Sequence, residues 1–390
     1  MTKVRDPFLS YARSKQKEII LFLRRLVECE SPSDDPAAIA RFCDLFASQI
    51  SSIARVRLLK TSPSAGPNLL CDFRLPGSLK AGRILVLGHS DTVYPLGTLR
   101  QMPWRRRAGR LWGPGVLDMK SGLAFFAFAM HSLVELGIVT RSHVRLLVTS
   151  DEEIGSPTSR SLIEQEARSC TAVLVLEPGA GLEGKVKTAR KGIATYAVAV
   201  HGRAAHAGVD FASGANALVE LARQIQTVAS WTNLRRGVTV NPGVARGGER
   251  TNVVPDYAVA LIDVRVPRLL DAETIHRRFL SLSAQDRRCR LDVSGGLNRP
   301  PMERTPAIAA LFRLARAKAL ELGVELEESS TGGSSDGNFT AALGVPTLDG
   351  LGGVGEGAHS PQESILINRI ADRTALLAKL VAALGDSWTQ

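Results

Sequence analysis

The chain has 390 residues, which is too long for one ordinary hydrophobic core, so its length favours two domains. A hydrophobic content of 44% and a charged content of 22% exclude an intrinsically disordered chain, and no apolar run is long enough to span a membrane. The formal net charge is +11, but the basic residues are scattered outside Arg105-Arg106-Arg107 and Arg110, which argues against a nucleic-acid partner.

The cysteines and the N-terminal residues indicate the cellular compartment of the protein. The cysteine number is odd, no CxxC pair occurs, and the residues are Cys29, Cys43, Cys71, Cys170 and Cys289. We expect free thiols, several of them buried, in a reducing compartment. The stretch Met1–Ser14 is polar and lacks the apolar segment of a signal peptide. The sequence therefore predicts a cytoplasmic protein that does not bind a membrane.

The first half of the chain alternates predicted helices and strands. Helical periodicity covers residues 8–29 and resumes after a break to about Ile50. Residues 95–115 are predicted to be loop. Apolar runs predict further elements, namely strands at 56–59, 69–73, 84–87, 144–149 and 172–176 and helices at 120–136 and 159–168. This alternation predicts an α/β domain with a mostly parallel sheet flanked by helices.

The middle of the chain has a different pattern. Its predicted order is β-α-β-β-α-β, with strands at 193–200, 238–244, 257–266 and 289–293 and helices at 214–229 and 272–282. That order is typical of a small ferredoxin-like α+β sandwich. Helical patterns return at 305–322 and 366–384. We therefore predict an inserted domain at residues 189–300 and a discontinuous catalytic domain at residues 1–188 and 301–390.

Three consecutive carboxylates, Asp151-Glu152-Glu153, follow the predicted strand 144–149. Adjacent anions repel one another, so they need a positive partner to lie together. If the strand continues through them, its alternation points Glu152 and Glu153 to opposite sides, one towards a metal and the other towards a proton transfer. A solvated acidic turn is the alternative. Nothing in the sequence gives Asp151 a role.

Other candidate ligands follow predicted strands, precede a helix or lie in a glycine-rich loop, and the set is His89, Asp118, Glu153, Glu177 and His359. Two imidazoles and three carboxylates suit two zinc ions with one bridging carboxylate. Asp91, two residues after His89, could hydrogen-bond the imidazole and fix its tautomer. Taken singly, each residue is also explained by a helix cap or a structural hydrogen bond.

These residues stand in an ordered set of motifs, which are GHSDTV at His89, GPGVLDMKSG at Asp118, SDEEIG at Glu152 and Glu153, Glu177-Pro178, and His359-Ser360-Pro361. The set resembles the M20 metallopeptidase family over nearly the whole chain, and within it the glutamate carboxypeptidase branch. The resemblance implies a zinc-binding α/β domain with an inserted lid through which two subunits form a homodimer.

The resemblance also implies a role for each residue of the set. It implies two zinc ions per subunit, bridged by Asp118, with the other ligands supplied by His89, Glu153, Glu177 and His359. Glu152 would be the general base, Asp91 would support His89, and the peptide bond after Asp118 would be cis.

In the predicted lid, the resemblance implies that His206 crosses the dimer interface and helps to hold an oxyanion. Asn252 would hydrogen-bond substrate oxygens, and Arg265 would bind a free carboxylate through a bidentate fork. Ser335 and Gly357 would line the substrate pocket. The alternatives are a surface histidine at 206 and a strand-end salt bridge at Arg265.

The expected activity is hydrolysis of an amide bond next to a free C-terminal carboxylate, releasing a glutamate-like residue from an N-acyl or peptidyl substrate. An N-acyl-amino-acid deacylase similar to acetylornithine deacetylase or succinyl-diaminopimelate desuccinylase is the alternative, because it shares the metal motifs. A non-catalytic binding protein on the same fold is disfavoured because Glu152 and every candidate ligand are present.

Overall fold

The computed structural model describes residues 6–60, 62–63, 65–77 and 82–387. The chain divides into two compact units. The first contains Met1–Thr188, Arg304–Ser330 and Ser335–Gln390, and the second contains Ala189–Glu303 and Thr331–Ser334. None of the described helices is both long and apolar enough to cross a membrane.

The elements are numbered in chain order. The helices of the described residues are α1 (Pro7–Ser14), α2 (Gln16–Glu28), α3 (Pro36–Ile50), α4 (Ser121–Glu135), α5 (Arg160–Ala167), α6 (Ala217–Ala229), α7 (Leu269–Leu280), α8 (Pro306–Glu321), α9 (Gly337–Ala342) and α10 (Ile370–Ser387). The strands are β1 (Ala54–Leu59), β2 (Asn68–Phe73), β3 (Gly82–His89), β4 (Arg105–Arg107), β5 (Arg110–Trp112), β6 (Ser142–Thr149), β7 (Ala172–Val175), β8 (Val186–Arg190), β9 (Gly192–His201), β10 (Ala205–His206), β11 (Thr239–Gly247), β12 (Val253–Val254), β13 (Tyr257–Val266), β14 (Arg290–Arg299), β15 (Glu328–Thr331), β16 (Thr347–Leu348), β17 (Gly355–Glu356) and β18 (Ser364–Leu366).

The first unit is built on a central sheet whose described strands lie in the order β1-β2-β6-β3-β7-β16. Strand β3 is parallel to both β6 and β7, and β16 is parallel to β7. Strands β1 and β2 form an antiparallel edge next to β6. The sheet is therefore largely parallel and carries helices, which confirms the predicted α/β class.

Helices cover both faces of this sheet, and the sequence of β3 shows why its residues suit burial on both sides. Ile84 and Val86 lie in the same apolar cluster as α4 and α10, whereas Leu85 and Leu87 lie in a second cluster with Ile163 of α5 and Phe339 of α9. Successive side chains of a strand point to opposite faces, so a strand buried on both sides must be apolar at every position.

The second unit is a four-stranded antiparallel sheet in the order β11-β13-β9-β14, with α6 following β9 and α7 following β13. This is the predicted β-α-β-β-α-β order. Alternate residues of β9 and β13, such as Tyr196 and Ile262, are buried with residues of both helices. Tyr196 stacks on Phe279 of α7 with ring centroids 3.8 Å apart.

Three local predictions differ from the structure. The predicted loop at 95–115 contains the hairpin of β4 and β5, which the arginine-rich β4 conceals because it lacks apolar alternation. The predicted helix at 8–29 is interrupted at Lys15, where the Ser14 hydroxyl donates to the Tyr11 carbonyl and competes with the helix ladder. The predicted strand 289–293 runs to Arg299. All five cysteines are free, and three of them are buried, as expected.

Candidate active site

The candidate site begins at the carboxyl edge of the parallel strands. Strand β3 ends at His89, the acidic triplet follows β6, and Glu177 lies two residues after the end of β7. Neighbouring parallel strands present their carboxyl ends at one edge, where open α/β sheets place their ligands. Three distant segments of the chain are thereby brought together.

The geometry of the acidic triplet corrects one sequence argument. Strand β6 ends at Thr149, and Glu152–Ile154 form a short 3₁₀ turn. The prediction that strand alternation separates Glu152 from Glu153 is therefore wrong, because their directions are set by the turn. The turn is held by Asp91, whose carboxylate accepts the backbone N–H groups of Glu152 at 3.2 Å and Glu153 at 3.1 Å.

Asp151 has a structural role that the sequence did not reveal. Its buried carboxylate accepts hydrogen bonds from the backbone N–H of Thr158 at 2.7 Å and from the Thr158 hydroxyl at 2.8 Å. It also accepts the Ser159 hydroxyl. Asp151 therefore ties the acidic turn to the start of α5 and leaves substrate or metal contacts to its neighbours.

His89 is buried, and its two ring nitrogens face different residues. Its Nδ1 lies 2.9 Å from the backbone oxygen of Asp91 and 3.4 Å from the carboxylate of the same residue. Its Nε2 lies 3.3 Å from Asp118 Oδ1 and 3.6 Å from Glu177 Oε1. Donation from Nδ1–H to the Asp91 carbonyl fixes the ring so that Nε2 faces the two carboxylates.

His89, Asp118 and Glu177 form one histidine–carboxylate group. A second such group, built on His359, also contains Asp118. His359 Nε2 lies 3.4 Å from Asp118 Oδ2 and 3.2 Å from Glu153 Oε2. The two carboxylate oxygens of Asp118 therefore face two different histidines. Glu153 Oε1 is buried without a hydrogen-bond partner among the described residues, which is unusual unless another group satisfies it.

The separations in these two groups test whether a metal fits. A charge-assisted N–H···O bond is about 2.7–2.9 Å long. Ligand atoms at about 2.0–2.1 Å from a tetrahedral zinc ion lie about 3.3 Å apart, the edge of that tetrahedron. The four nitrogen–oxygen separations, from 3.2 to 3.6 Å, match the second value better. The donor set therefore fits two ions with Asp118 between them.

Two residue sets in the first unit bring their potential ligand atoms within 4.8 Å of one another, and they are His89–Glu152–Glu177 and His89–Asp118–Glu153. Glu152 thus lies close enough to be a ligand as well as a proton acceptor.

The histidines supply positive charge to the acidic cluster. Burial opposes protonation of His89, but hydrogen bonds to Asp118 and Asp91 raise its pKa well above the usual range. Hydrogen bonds to Asp118 and Glu153 raise the pKa of His359 to about 10. Burial alone would raise the pKa of Asp118, yet its bonds to both imidazoles hold that pKa well below the usual range. Metal binding here must therefore release protons from the imidazoles.

The peptide bond between Asp118 and Met119 is cis, as the resemblance implied. The turn carrying it, Val116–Lys120, contacts a residue that the sequence reasoning did not select, the buried Glu363. The only signal in the sequence was a glutamate four residues after His359, and its burial could not be inferred from that spacing.

In the second unit, His206 is exposed and its Nδ1 accepts backbone N–H groups of Gly208 at 3.1 Å and Val209 at 3.2 Å. Because backbone N–H groups only donate, the proton of the neutral ring lies on Nε2. The backbone oxygen of Asn252 accepts Ala207 N at 2.9 Å, so Asn252 lies beside the His206 turn.

Arg265 forms the ion pair considered as its alternative role, with Nε donating to both oxygens of Asp263 at 2.9 and 3.1 Å. Ser335 is fully buried and donates to Asp349 at 2.6 Å. Gly357 has φ +83°, and a Cβ there would lie 2.8 Å from the backbone of Gln362, so the turn requires glycine. The substrate contacts assigned to Arg265, Ser335 and Gly357 stay predictions.

Comparison with known proteins places the chain in a family. The profile of peptidase family M20/M25/M40 matches residues 85–383. Carboxypeptidase G2 of Pseudomonas sp. (strain RS-16) is 30% identical over 382 residues, covering 96% of this chain and 91% of that protein. Succinyl-diaminopimelate desuccinylase of Burkholderia mallei (strain SAVP1) is 30% identical over 320 residues, covering 73% of this chain and 79% of that protein.

Among solved structures, the YXEP protein of Bacillus subtilis, described as a dinuclear metal binding peptidase from the M20 family, has a TM-score of 0.70 and 13% identity. The alignment covers 96% of this chain and 99% of that one. An identity this low shows a shared fold, whereas the family match spans most of the sequence. The chain therefore belongs to peptidase family M20/M25/M40 and is a hydrolase of the M20 metallopeptidase type.

Proposed function

We propose that the protein is a zinc-dependent carboxypeptidase that hydrolyses the amide bond next to a free C-terminal carboxylate and releases a glutamate-like residue. The observation that carries the proposal is the pair of histidine–carboxylate groups that share Asp118. The match to carboxypeptidase G2 extends over 96% of the chain, against 73% for the desuccinylase, which favours the carboxypeptidase over the deacylase.

Two ions would be held by His89 and Glu177 on one side and by Glu153 and His359 on the other, with Asp118 bridging. Imidazole and carboxylate ligands at these separations suit Zn²⁺. Such ions, when bound, polarise a substrate carbonyl and lower the pKa of a bound water.

Glu152 is the proposed general base. Its side chain is buried near His89 and Glu177, and Asp91 fixes its backbone. From that position its carboxylate would take the proton of the attacking water and deliver it to the leaving amine.

The second unit supplies the proposed substrate contacts. Arg265 and Asn252 would bind the terminal carboxylate and neighbouring oxygens, and the net charge of +11 favours an anionic substrate. The Nε2–H of His206 would donate to the carbonyl oxygen as negative charge develops there.

We also propose a homodimer formed through the second unit. Near His206 the side chains of Val209 and Phe211 are 82% and 64% exposed, and a partner subunit would cover them. The free cysteines support a reducing, cytoplasmic location.

A hydrolysis panel on the zinc-restored protein tests the proposal. We expect the highest kcat/KM for N-acyl glutamates and for short peptides ending in Glu or Asp, and lower values for N-acetylornithine and N-succinyl-diaminopimelate. A preference for the last two substrates would favour the deacylase, and no hydrolysis of any member would contradict both.

The Glu152→Ala variant, measured with the same substrates, shows whether Glu152 is a general base or a metal ligand. We expect it to keep two metal ions per chain, measured by elemental analysis, while kcat falls by about 10²–10⁴-fold. Loss of an ion would make Glu152 a ligand. The matched control is Glu164→Ala, which removes a carboxylate paired with Arg160 on α5 and is expected to leave both readouts unchanged.

A further inference from the structure

The carboxylate of Glu363 is completely buried and forms no salt bridge among the described residues. Instead, both of its oxygens accept hydrogen bonds. Oε1 accepts the backbone N–H groups of Leu117 at 2.8 Å and Asp118 at 3.0 Å. Oε2 accepts the backbone N–H of Gly115 at 3.1 Å and the hydroxyl of Tyr94 at 2.6 Å.

Burying a carboxylate without a counter-ion is costly, and four donors are needed here to offset the lost hydration. Three of them are backbone N–H groups of one short turn, which point at a common centre as in other anion-binding turns. Gly115 allows this arrangement with φ +72°. A neutral side chain of the same size could not accept from all of them.

Glu363 also joins two segments that carry candidate ligands. It lies four residues after His359 in the same loop, and it holds the backbone N–H of Asp118 directly. Asp118 and His359 in turn approach each other to 3.4 Å. The carboxylate therefore fixes the separation of two residues that come from distant parts of the chain.

We propose that Glu363 is a positioning residue that sets the metal affinity of the position formed by Asp118, Glu153 and His359. The inference rests on the proposed function, because it takes these residues as ligands. The other position contains His89 and Glu177, and none of the hydrogen bonds of Glu363 described above reaches either residue.

The central variant is Glu363→Gln, which keeps the size of the side chain. Its amide oxygen can still accept from Leu117 and Asp118, but its NH₂ group then faces the N–H of Gly115, so that donor meets donor. Tyr94→Phe is a milder variant, because it removes one donor and leaves all three backbone bonds.

Glu220→Gln is the matched control. Glu220 is also completely buried and accepts the backbone N–H groups of Gln285 at 2.9 Å and Asp286 at 3.1 Å, but it lies in the second unit. Any loss of metal caused by general destabilisation would appear in this variant too.

The experiment titrates the full-length, chelator-treated proteins with Zn²⁺ in a calorimeter and repeats the titration with Co²⁺, followed by visible absorption. We expect two ions in the wild type. In E363Q we expect the site of His359 to be weakened by about 10- to 100-fold, and the site of His89, which shares Asp118 with it, to be weakened less. Tyr94→Phe should weaken the site of His359 less than E363Q does, Glu220→Gln should match the wild type, and excess zinc should restore kcat in E363Q.

Two sites of wild-type affinity in E363Q would overturn the inference, as would an equal loss at both sites or the same loss in Glu220→Gln. An E363Q chain that does not fold by circular dichroism would also overturn it, because the role would then concern the whole fold. A wild type that binds no metal would instead refute the proposed function, so the two failures are distinguishable.

Discussion

Single carboxylates around the site divide into two kinds according to what their oxygens contact. The carboxylates of Asp91, Asp151 and Glu363 accept hydrogen bonds from backbone N–H and hydroxyl groups of nearby turns. Asp118 and Glu153 direct oxygens at histidine nitrogens, and Glu153 keeps a buried oxygen without a hydrogen-bond partner among the described residues. The second kind faces the Nε2 atoms of His89 and His359, where a metal would bind.

Replacing Asp91 by Asn tests whether a carboxylate that accepts backbone N–H groups positions the candidate site. The amide would present NH₂ to one of the two N–H groups that Asp91 now accepts, so the turn bearing Glu152 and Glu153 should shift. We expect kcat to fall by about 10- to 100-fold with a smaller change in KM, measured by steady-state kinetics. Ser33→Ala is the control, because it removes only the 2.7 Å hydroxyl bond to Asp91. A wild-type kcat in Asp91→Asn would contradict this role.

At the scale of elements, helix α10 braces the loop beside the end of β7. The guanidinium of its fully buried Arg373 donates to the carbonyls of Gly184 and Gly352, each at 2.9 Å, and to that of Gly350. Burial lowers the pKa of Arg373 to about 10, so it remains a cation near neutral pH. The N–H of Gly352 donates to the backbone oxygen of Glu177 at 2.8 Å. The helix thereby supports the loop that is hydrogen-bonded to the backbone of Glu177.

The Arg373→Leu variant should be destabilised by roughly 3 kcal/mol or more, because three buried carbonyls lose their donors. Urea denaturation followed by circular dichroism measures the free energy of unfolding. Lys318→Ala removes an exposed pair with Glu321 on α8 and should change that free energy by no more than about 0.5 kcal/mol. Equal stability of Arg373→Leu and the wild type would show that solvent replaces the lost donors.

The sequence predicted those elements whose apolar pattern is strong. Strand β13 has the predicted bounds, 257–266, because burial on one face alternates along all ten residues. The hairpin of β4 and β5 and the two-residue β16 carry no such pattern. The positions of His89 and Glu177 followed from strand ends, but the role of Glu363 depends on donors more than 240 residues away in sequence, which no local pattern encodes.

For the whole molecule, the two units hold different parts of the proposed chemistry. All five candidate metal ligands belong to the first unit, and His206, Asn252 and Arg265 belong to the second. A metal that binds only the native first unit stabilises that unit, by about 2.7 kcal/mol when its concentration is 100 times its Kd.

Removal of metal should therefore affect the two units unequally. We expect amide hydrogen exchange, measured by mass spectrometry, to increase after chelation around 89–91, 115–120 and 355–363 and to stay unchanged in β9 and β13. His359→Ala, which lacks one candidate ligand, should respond less to the chelator. An equal increase in both units would contradict a site built from the first unit alone.

The order of the candidate ligands along the chain has a consequence for synthesis of the protein. His89, Asp118, Glu153 and Glu177 all precede the second unit, whereas His359 and its neighbour Glu363 follow it. At about 5–20 residues per second, a ribosome needs about 10 to 40 s to pass from the fourth ligand to the fifth. During that interval the nascent chain contains four of the five candidate ligands, one histidine and three acids. The full set therefore exists only after residue 359 has been translated.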